Sequence, residues 1–169
     1  PEFHNNPLET VRTTTLADGR TVSFYPATRN GELVALAAEG TTETGYGGTL
    51  RVLVGLKTDG TIRAVVVSEH SETPGLGTQA TDRKREVSLG DFVRGKTDGD
   101  EDGTLPPSPY LDQYSNRNLA EDAPFKMAKE GGGIDAVSGA TVSSKAVADA
   151  VNAVAQAFKN ERRELLKSP

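Results

Sequence analysis

The sequence predicts an α+β domain in which an antiparallel sheet packs against helices and a long C-terminal helix follows a turn of small residues. Three observations carry this expectation. Residues 50–56 and 62–68 are apolar runs joined by Asp59-Gly60, a dipeptide suited to a tight hairpin turn. Residues 10–16 and 21–25 are rich in β-formers and flank a second such signal, Asp18-Gly19. From 142 to about 166, Val147, Val151, Val154 and Phe158 recur at helical spacing with Ala146, Ala150 and Ala155 beside them. A chain of 169 residues is long enough for one domain with a real core. Residues 8–169 are taken as that domain, and residues 1–7, which begin at Pro1 without an initiator Met, as linker or vector-derived residues of a protein that naturally starts earlier.

Composition removes several functions. A net charge of −5 argues against nucleic acid or an anionic membrane surface as the partner, because both need a basic footprint. No apolar run approaches the length of a membrane span and no signal peptide is seen, so the polypeptide is expected to be soluble as it stands. Cysteine is absent, which excludes disulfides, thiolate iron–sulfur clusters, Cys-linked haem and Cys-type zinc sites. Electron transfer by this chain would therefore need an organic cofactor.

Taken in order, residues 33–39 fit a strand or a short helix, and Asn30-Gly31 before them favours a turn into a strand. Residues 44–49 read as a flexible loop with one aromatic, Tyr46. The strand over 62–68, taken as central in the sheet, empties into His70-Ser71-Glu72-Thr73-Pro74-Gly75-Leu76-Gly77. Pro74 fixes one torsion there and removes a donor, while Gly75 and Gly77 allow backbone shapes closed to other residues. A loop of this kind can offer main-chain groups edge-on to a flat heteroaromatic ring, with Leu76 as an apolar face. It equally fits a plain Pro-Gly turn.

Residues 78–86 suggest a short charged helix, and from 90 the chain turns irregular and acidic. Residues 110–114 and 124–127 return apolar side chains to the core. Gly131-Gly132-Gly133 is expected to be a flexible lead into Ile134-Asp135-Ala136-Val137-Ser138-Gly139-Ala140-Thr141. Ser138, Thr141, Ser143 and Ser144 place four side-chain oxygens within seven residues at the mouth of the last helix. The helix start supplies unpaired N–H groups and a positive dipole end, so this segment suits either an anion such as phosphate or an ordinary N-cap. Beyond Lys159 the helix is expected to fray.

Other motifs are discounted on chemistry. Gly90-Asp91-Phe92-Val93-Arg94-Gly95-Lys96-Thr97 has the spacing of a phosphate-binding P-loop, which would make the chain a nucleotide-binding protein. The carboxylates of Asp98, Asp100, Glu101 and Asp102 follow at once, where a helix is needed and where they would repel a triphosphate. The same acidic run imitates half an EF-hand loop, but Pro109 stands where its bidentate Glu belongs. His4 and His70 are too few and too separated for a histidine metal centre, so no metal site is expected, and His70 reads as a polar residue at a strand end. No G-x-G-x-x-G follows a strand, so no nicotinamide-binding unit is expected.

Asp135-Ala136-Val137-Ser138-Gly139-Ala140-Thr141 resembles the motif Asp-x-x-Ser/Thr-Gly-Ala-Thr of the FMN-binding family, whose members carry FMN covalently on the final threonine. His70 to Gly77 is similar to the flavin-loop signature of the same family, in the same order along the chain. The members it most resembles are the G subunit of the Rnf electron-transport complex and, next to it, the C subunit of the sodium-pumping NADH:quinone oxidoreductase. The resemblance spans roughly residues 45–154; Ala136 stands where Gly is frequent.

The resemblance implies a phosphoester between FMN and Thr141. A separate flavin transferase would make it, taking FMN from FAD with a magnesium ion and reading Asp135, Ser138, Gly139, Ala140 and Thr141. It further implies that Ser138, Gly139, Ala140 and Thr141, together with Val142, Ser143, Ser144 and Lys145, bind the cofactor at its phosphate end, and that Glu72, Thr73, Pro74, Gly75, Leu76 and Gly77, with Tyr46 and Gly47, surround the ring. No catalytic residue is expected, since the chain would be an electron carrier of an oxidoreductase complex rather than a complete enzyme. Its partners would be the other subunits of a membrane complex that couples ferredoxin and NAD electron flow to ion movement. The domain would lie on the extracytoplasmic, periplasmic face behind an N-terminal membrane anchor. A flavin-bearing sensory or accessory domain and a non-redox ligand-binding module are the remaining alternatives.

Overall fold

The computed structural model describes residues 3–83 and 105–166. The P-loop-like stretch 90–97 and the acidic run 98–104 lie outside the described residues, as does the end of the expected charged helix beyond Arg83. Five strands, β1 (Arg12–Thr15), β2 (Thr21–Arg29), β3 (Glu32–Gly45), β4 (Gly48–Leu56) and β5 (Ile62–Glu69), form one antiparallel sheet in sequential order. A one-turn helix, α1 (Thr78–Thr81), follows the sheet, and the long helix α2 (Thr141–Leu165) closes the chain.

The hairpins follow from their turns. Asn30 and Gly31 both have positive φ, 53° and 81°, which matches the right-handed twist of the strands they join. The segment 33–39 is therefore strand, continuous to Gly45. Residues 44–49 differ from the expected loop: β3 and β4 pair up to Gly45 and Gly48, and only Tyr46-Gly47 turn the corner. The flexible loop shrinks to a two-residue tip because the ladder itself holds it.

The largest difference concerns β5, which is the edge of the sheet rather than a central strand. Its outer edge is covered by other chain segments instead of another strand. Arg83 donates from Nε and Nη2 to Val65 O at 3.0 and 2.9 Å, and the Ile62 backbone exchanges 2.8 Å bonds with Arg117 O and Asn116 N–H. Covering the edge in this way removes a ready template for strand addition.

α2 lies chiefly across β3 and β4. At the crossing only glycine fits, because a Cβ on Gly40 would stand 2.8 Å from Ala150 O and from Val154 Cγ2. The inward side chains of the sheet, among them Phe24, Leu36, Leu50, Val52, Val54 and Ile62, meet Val147, Val151, Val154 and Phe158 as the helical spacing predicts. The buried face of α2 is nevertheless broad rather than a narrow stripe. Ala146, Ala148, Ala150, Ala153, Ala155 and Ala157 are buried too, and the polar stripe is the narrow one: Lys145, Asp149, Asn152, Gln156 and Lys159. The reason is a second covering layer, in which Tyr110, Leu111, Tyr114, Leu119, Phe125, Met127 and Ile134 join the same core. The helix also does not fray after Lys159, since Leu165 is buried and Arg12 donates to Glu164 O.

Gly131–Gly133 form a packed turn. Gly131 takes the left-handed conformation (φ 81°) after a short 3-10 helix, and a Cβ on Gly132 would be 2.1 Å from Lys126 O. These glycines permit close approach where flexibility was expected.

Tyr110 and Tyr114 share a buried hydroxyl pair at 2.9 Å, and Tyr110 Oη donates to Ser144 O at 2.5 Å. Burial pushes the Tyr110 phenol up from 10.0 to about 12, and that of Tyr114 well above its ordinary value. Above pH 10 the unfolded chain therefore binds fewer protons than the folded one. The stability present below that pH is lost as pH rises toward 12, by roughly 3 kcal/mol for Tyr110 alone. Urea midpoints at pH 9 and 11.5 should show this drop, and Tyr110→Phe should reduce it; an unchanged alkaline slope in the variant would count against the assignment.

Candidate functional site

Two turns of the same kind build the site. In the first, Leu76 N donates to Thr73 O at 3.2 Å with Pro74 and Gly75 (φ 78°) between them, the residue types a type II turn demands. In the second, Ala140 N donates to Val137 O at 3.0 Å across Ser138 and Gly139 (φ 81°). The second turn delivers the chain into α2. Ala140 occupies the N-cap position and no side chain caps the helix, so the ordinary-cap alternative does not describe this segment.

Ser143 and Ser144, expected beside a phosphate, use their hydroxyls within the protein. Ser144 Oγ accepts from Val137 N–H at 3.0 Å and donates to Ala140 O at 2.9 Å, locking the turn to the helix. Ser143 Oγ donates to Glu72 Oε2 at 2.6 Å across 71 positions of sequence. Glu72 is only 6% exposed, and its other oxygen, Oε1, accepts from Gly47 N–H at 3.2 Å. One buried carboxylate thus ties together the β3–β4 tip, the loop after β5 and the first turn of α2.

Gly77 is required by Glu72, and Gly45 by both Glu72 and the Gly48 carbonyl. A Cβ on Gly77 would stand 2.4 Å from Oε2, and one on Gly45 would stand 2.8 Å from Oε1. Removing the carboxylate by Glu72→Ala strands the Ser143 hydroxyl and the Gly47 N–H. A loss of about 1–3 kcal/mol in denaturant unfolding is expected.

Between these segments lies a pocket of about 380 Å³. Tyr46 lines it from the tip, Glu72, Thr73, Leu76 and Gly77 from the loop, and Gly139, Ala140, Thr141, Val142 and Ser143 from the helix entrance. Tyr46, Leu76 and Val142 are 73%, 53% and 49% exposed, so the pocket presents three large apolar side chains to whatever occupies it. Thr141 is exposed at the rim.

Not every residue singled out from sequence lines this pocket. Pro74 and Gly75 shape the turn from outside, Gly47 contributes its N–H to Glu72, and Ser144 is fully buried. Ser138, Asp135 and Lys145 line a neighbouring concavity of about 200 Å³ together with Met127, Lys129 and Glu130. Thr141 borders both. Lys145 is paired with Glu130.

Sequence reasoning missed Gln113. Its amide accepts from Asp135 N–H at 2.7 Å and donates to Asp135 O at 3.0 Å, pinning the backbone where the second turn begins. Nothing local in the chain signals this contact, nor the role of Glu130.

A model of the FMN-binding domain family matches residues 45–156. The chain is 34% identical over 164 residues to the G subunit of the ion-translocating oxidoreductase complex of Cereibacter sphaeroides (strain ATCC 17029 / ATH 2.4.9), covering 96% of this chain and 64% of that protein. The subunits of the same name from Vibrio vulnificus (strain YJ016) and Vibrio atlanticus (strain LGP32) are 29% and 31% identical over 159 and 175 residues, with 94% and 99% of this chain and 65% and 72% of theirs covered. The chain thus spans less than two thirds of the Cereibacter protein's length.

Proposed function

Because the chain belongs to the FMN-binding domain family, we propose that it carries FMN on Thr141 through a phosphoester and serves as an electron-transfer domain of a membrane ion-translocating redox complex. The observation that carries this reading is the convergence of three segments distant in sequence on one pocket with a threonine hydroxyl at its rim. The residues present fit the group. Tyr46, Leu76 and Val142 offer apolar area to a flat ring, and the uncapped start of α2 offers N–H donors to a phosphate. Charge at a helix end is worth on the order of 0.3–1 kcal/mol, so retention falls to the covalent bond.

Attachment requires a flavin transferase with magnesium. The Thr141 hydroxyl oxygen bonds to the FMN phosphorus of FAD, the pyrophosphate bond breaks, AMP leaves and the hydroxyl proton passes to the transferase or solvent. Asp135 and Ser138 fit the role of recognition residues, since they line the concavity on the other side of Thr141 and leave the flavin pocket clear. Bound FMN would supply the redox chemistry, with the protein positioning it. Electrons would then arrive from and leave to other subunits of the complex on its extracytoplasmic face. No helix among the described residues is long and apolar enough to cross a membrane.

Intact mass spectrometry of protein made with and without the transferase tests this. The expected result is an added mass of FMN less one water only with the enzyme, and a yellow colour that survives denaturation. No addition in the presence of active transferase, FAD and magnesium would overturn the proposal.

A further inference from the structure

Glu72 is held from behind by a histidine. The Glu72 backbone N–H donates to His70 Nδ1 at 3.2 Å, while His70 Nε2 lies 2.8 Å from Asp82 Oδ1. A backbone N–H can only donate, so Nδ1 must bear a lone pair, and the ring's single proton sits on Nε2, where the Asp82 carboxylate accepts it. Asp82 is itself steadied by Thr81, whose hydroxyl donates to Oδ1 at 2.9 Å. The His70 side chain is 23% exposed, so a proton from solvent can reach it.

We propose that His70 is a positioning residue for this pocket, acting through Glu72: its bare Nδ1 fixes the loop, and protonation of the ring releases the loop together with the tip and helix start that Glu72 holds. The functional consequence rests on the reading of this pocket as the flavin site.

The steps are local. With a second proton on the ring, Nδ1–H and the Glu72 N–H become two donors facing each other at a distance where one had bonded to the other, and the contact turns repulsive. Glu72 cannot absorb the displacement quietly. Its carboxylate is enclosed by Gly45 and Gly77 at distances that would not admit a Cβ, and its two oxygens are bonded to Gly47 N–H and Ser143 Oγ. A shift of its backbone must therefore stretch at least one of those bonds.

One carboxylate faces the ring: Asp82, from beyond α1. The Glu72 carboxylate, in the same loop, is directed to Gly47 N–H and Ser143 Oγ. Glu69, at the end of β5, is paired with Arg51 of β4 at 3.2 Å. Arg83 turns away to Val65 O, Pro106 O and Asp112.

The test is a ¹⁵N pH titration of the flavin-free chain that follows the His70 ring signals and the backbone amides together. The amide resonances of Gly47, Glu72 and Ser143 are expected to move with one shared midpoint, that of the His70 ring signals. His70→Asn keeps an acceptor at the δ position but cannot titrate there, and should hold all three amides at their high-pH positions throughout. His70→Ala should leave them displaced at every pH. Titration of His70 with Gly47 and Ser143 unmoved would overturn the inference, as would a step that persists in His70→Asn. On the flavinylated chain the fluorescence of the flavin should show the same midpoint. If the amides titrate and a covalently bound flavin does not respond, the positioning role stands and the assignment of the ring to this pocket fails.

Discussion

Replacing Thr141 with alanine is expected to give a chain that folds like its parent and takes up no covalent flavin at all. The side chain of Thr141 is exposed at the first residue of α2, where alanine is a good helix former. The turn before it is held by Ser144 and Gln113, neither of which needs the Thr141 hydroxyl. Unfolding free energy should therefore change by no more than about 0.5 kcal/mol. Under those conditions a lost mass addition reports the missing nucleophile and not a damaged fold. Thr141→Ser retains a hydroxyl without the methyl group and should still be modified. Should flavin appear on Thr141→Ala, attachment lies elsewhere, and peptide mapping would have to examine Ser138 first, because Ser143 is buried against Glu72.

Phe158→Ala is expected to produce the largest loss of stability. The ring is fully buried near the far end of α2 and packs on the β4–β5 turn, where a Cβ on Gly60 (φ 92°) would stand 2.7 Å from its Cε1. Truncation removes this apolar area and leaves a cavity between the helix and a turn that cannot collapse onto it. The cost should be about 3–5 kcal/mol, a fall in melting temperature on the order of 10 °C for a domain of this size. Phe158 lies roughly 25 Å along the helix axis from Thr141. Flavin addition below the new melting point should accordingly persist, so the two variants separate stability from attachment. A Phe158→Ala chain that loses less than about 1 kcal/mol would contradict the packing described for the core.

Asp18-Gly19, Asn30-Gly31 and Asp59-Gly60 announce their turns because each needs a backbone shape that few residues supply, a property confined to two positions. The helical spacing from Val147 to Phe158 announces α2 in the same way. The same local signals could not order the strands. An apolar run such as 62–68 looks alike at the centre of a sheet and at an edge covered by Arg83 and residues 116–117. Nor could they tell that Ser144 would close its own turn and Ser143 would reach Glu72, since a hydroxyl before a helix has many partners within range.

By itself, then, the order of amino acids determined the turns, the periodicities and the two motifs that mark Thr141 and the loop at 72–77, because each depends on neighbours a few residues away. Only the folded chain decided that β5 is an edge, that Glu72 ties three segments together and that His70 stands behind it. Those contacts join positions far apart in sequence, and what selects them is the shared burial of the sheet and α2, a property of the whole core that no short window contains.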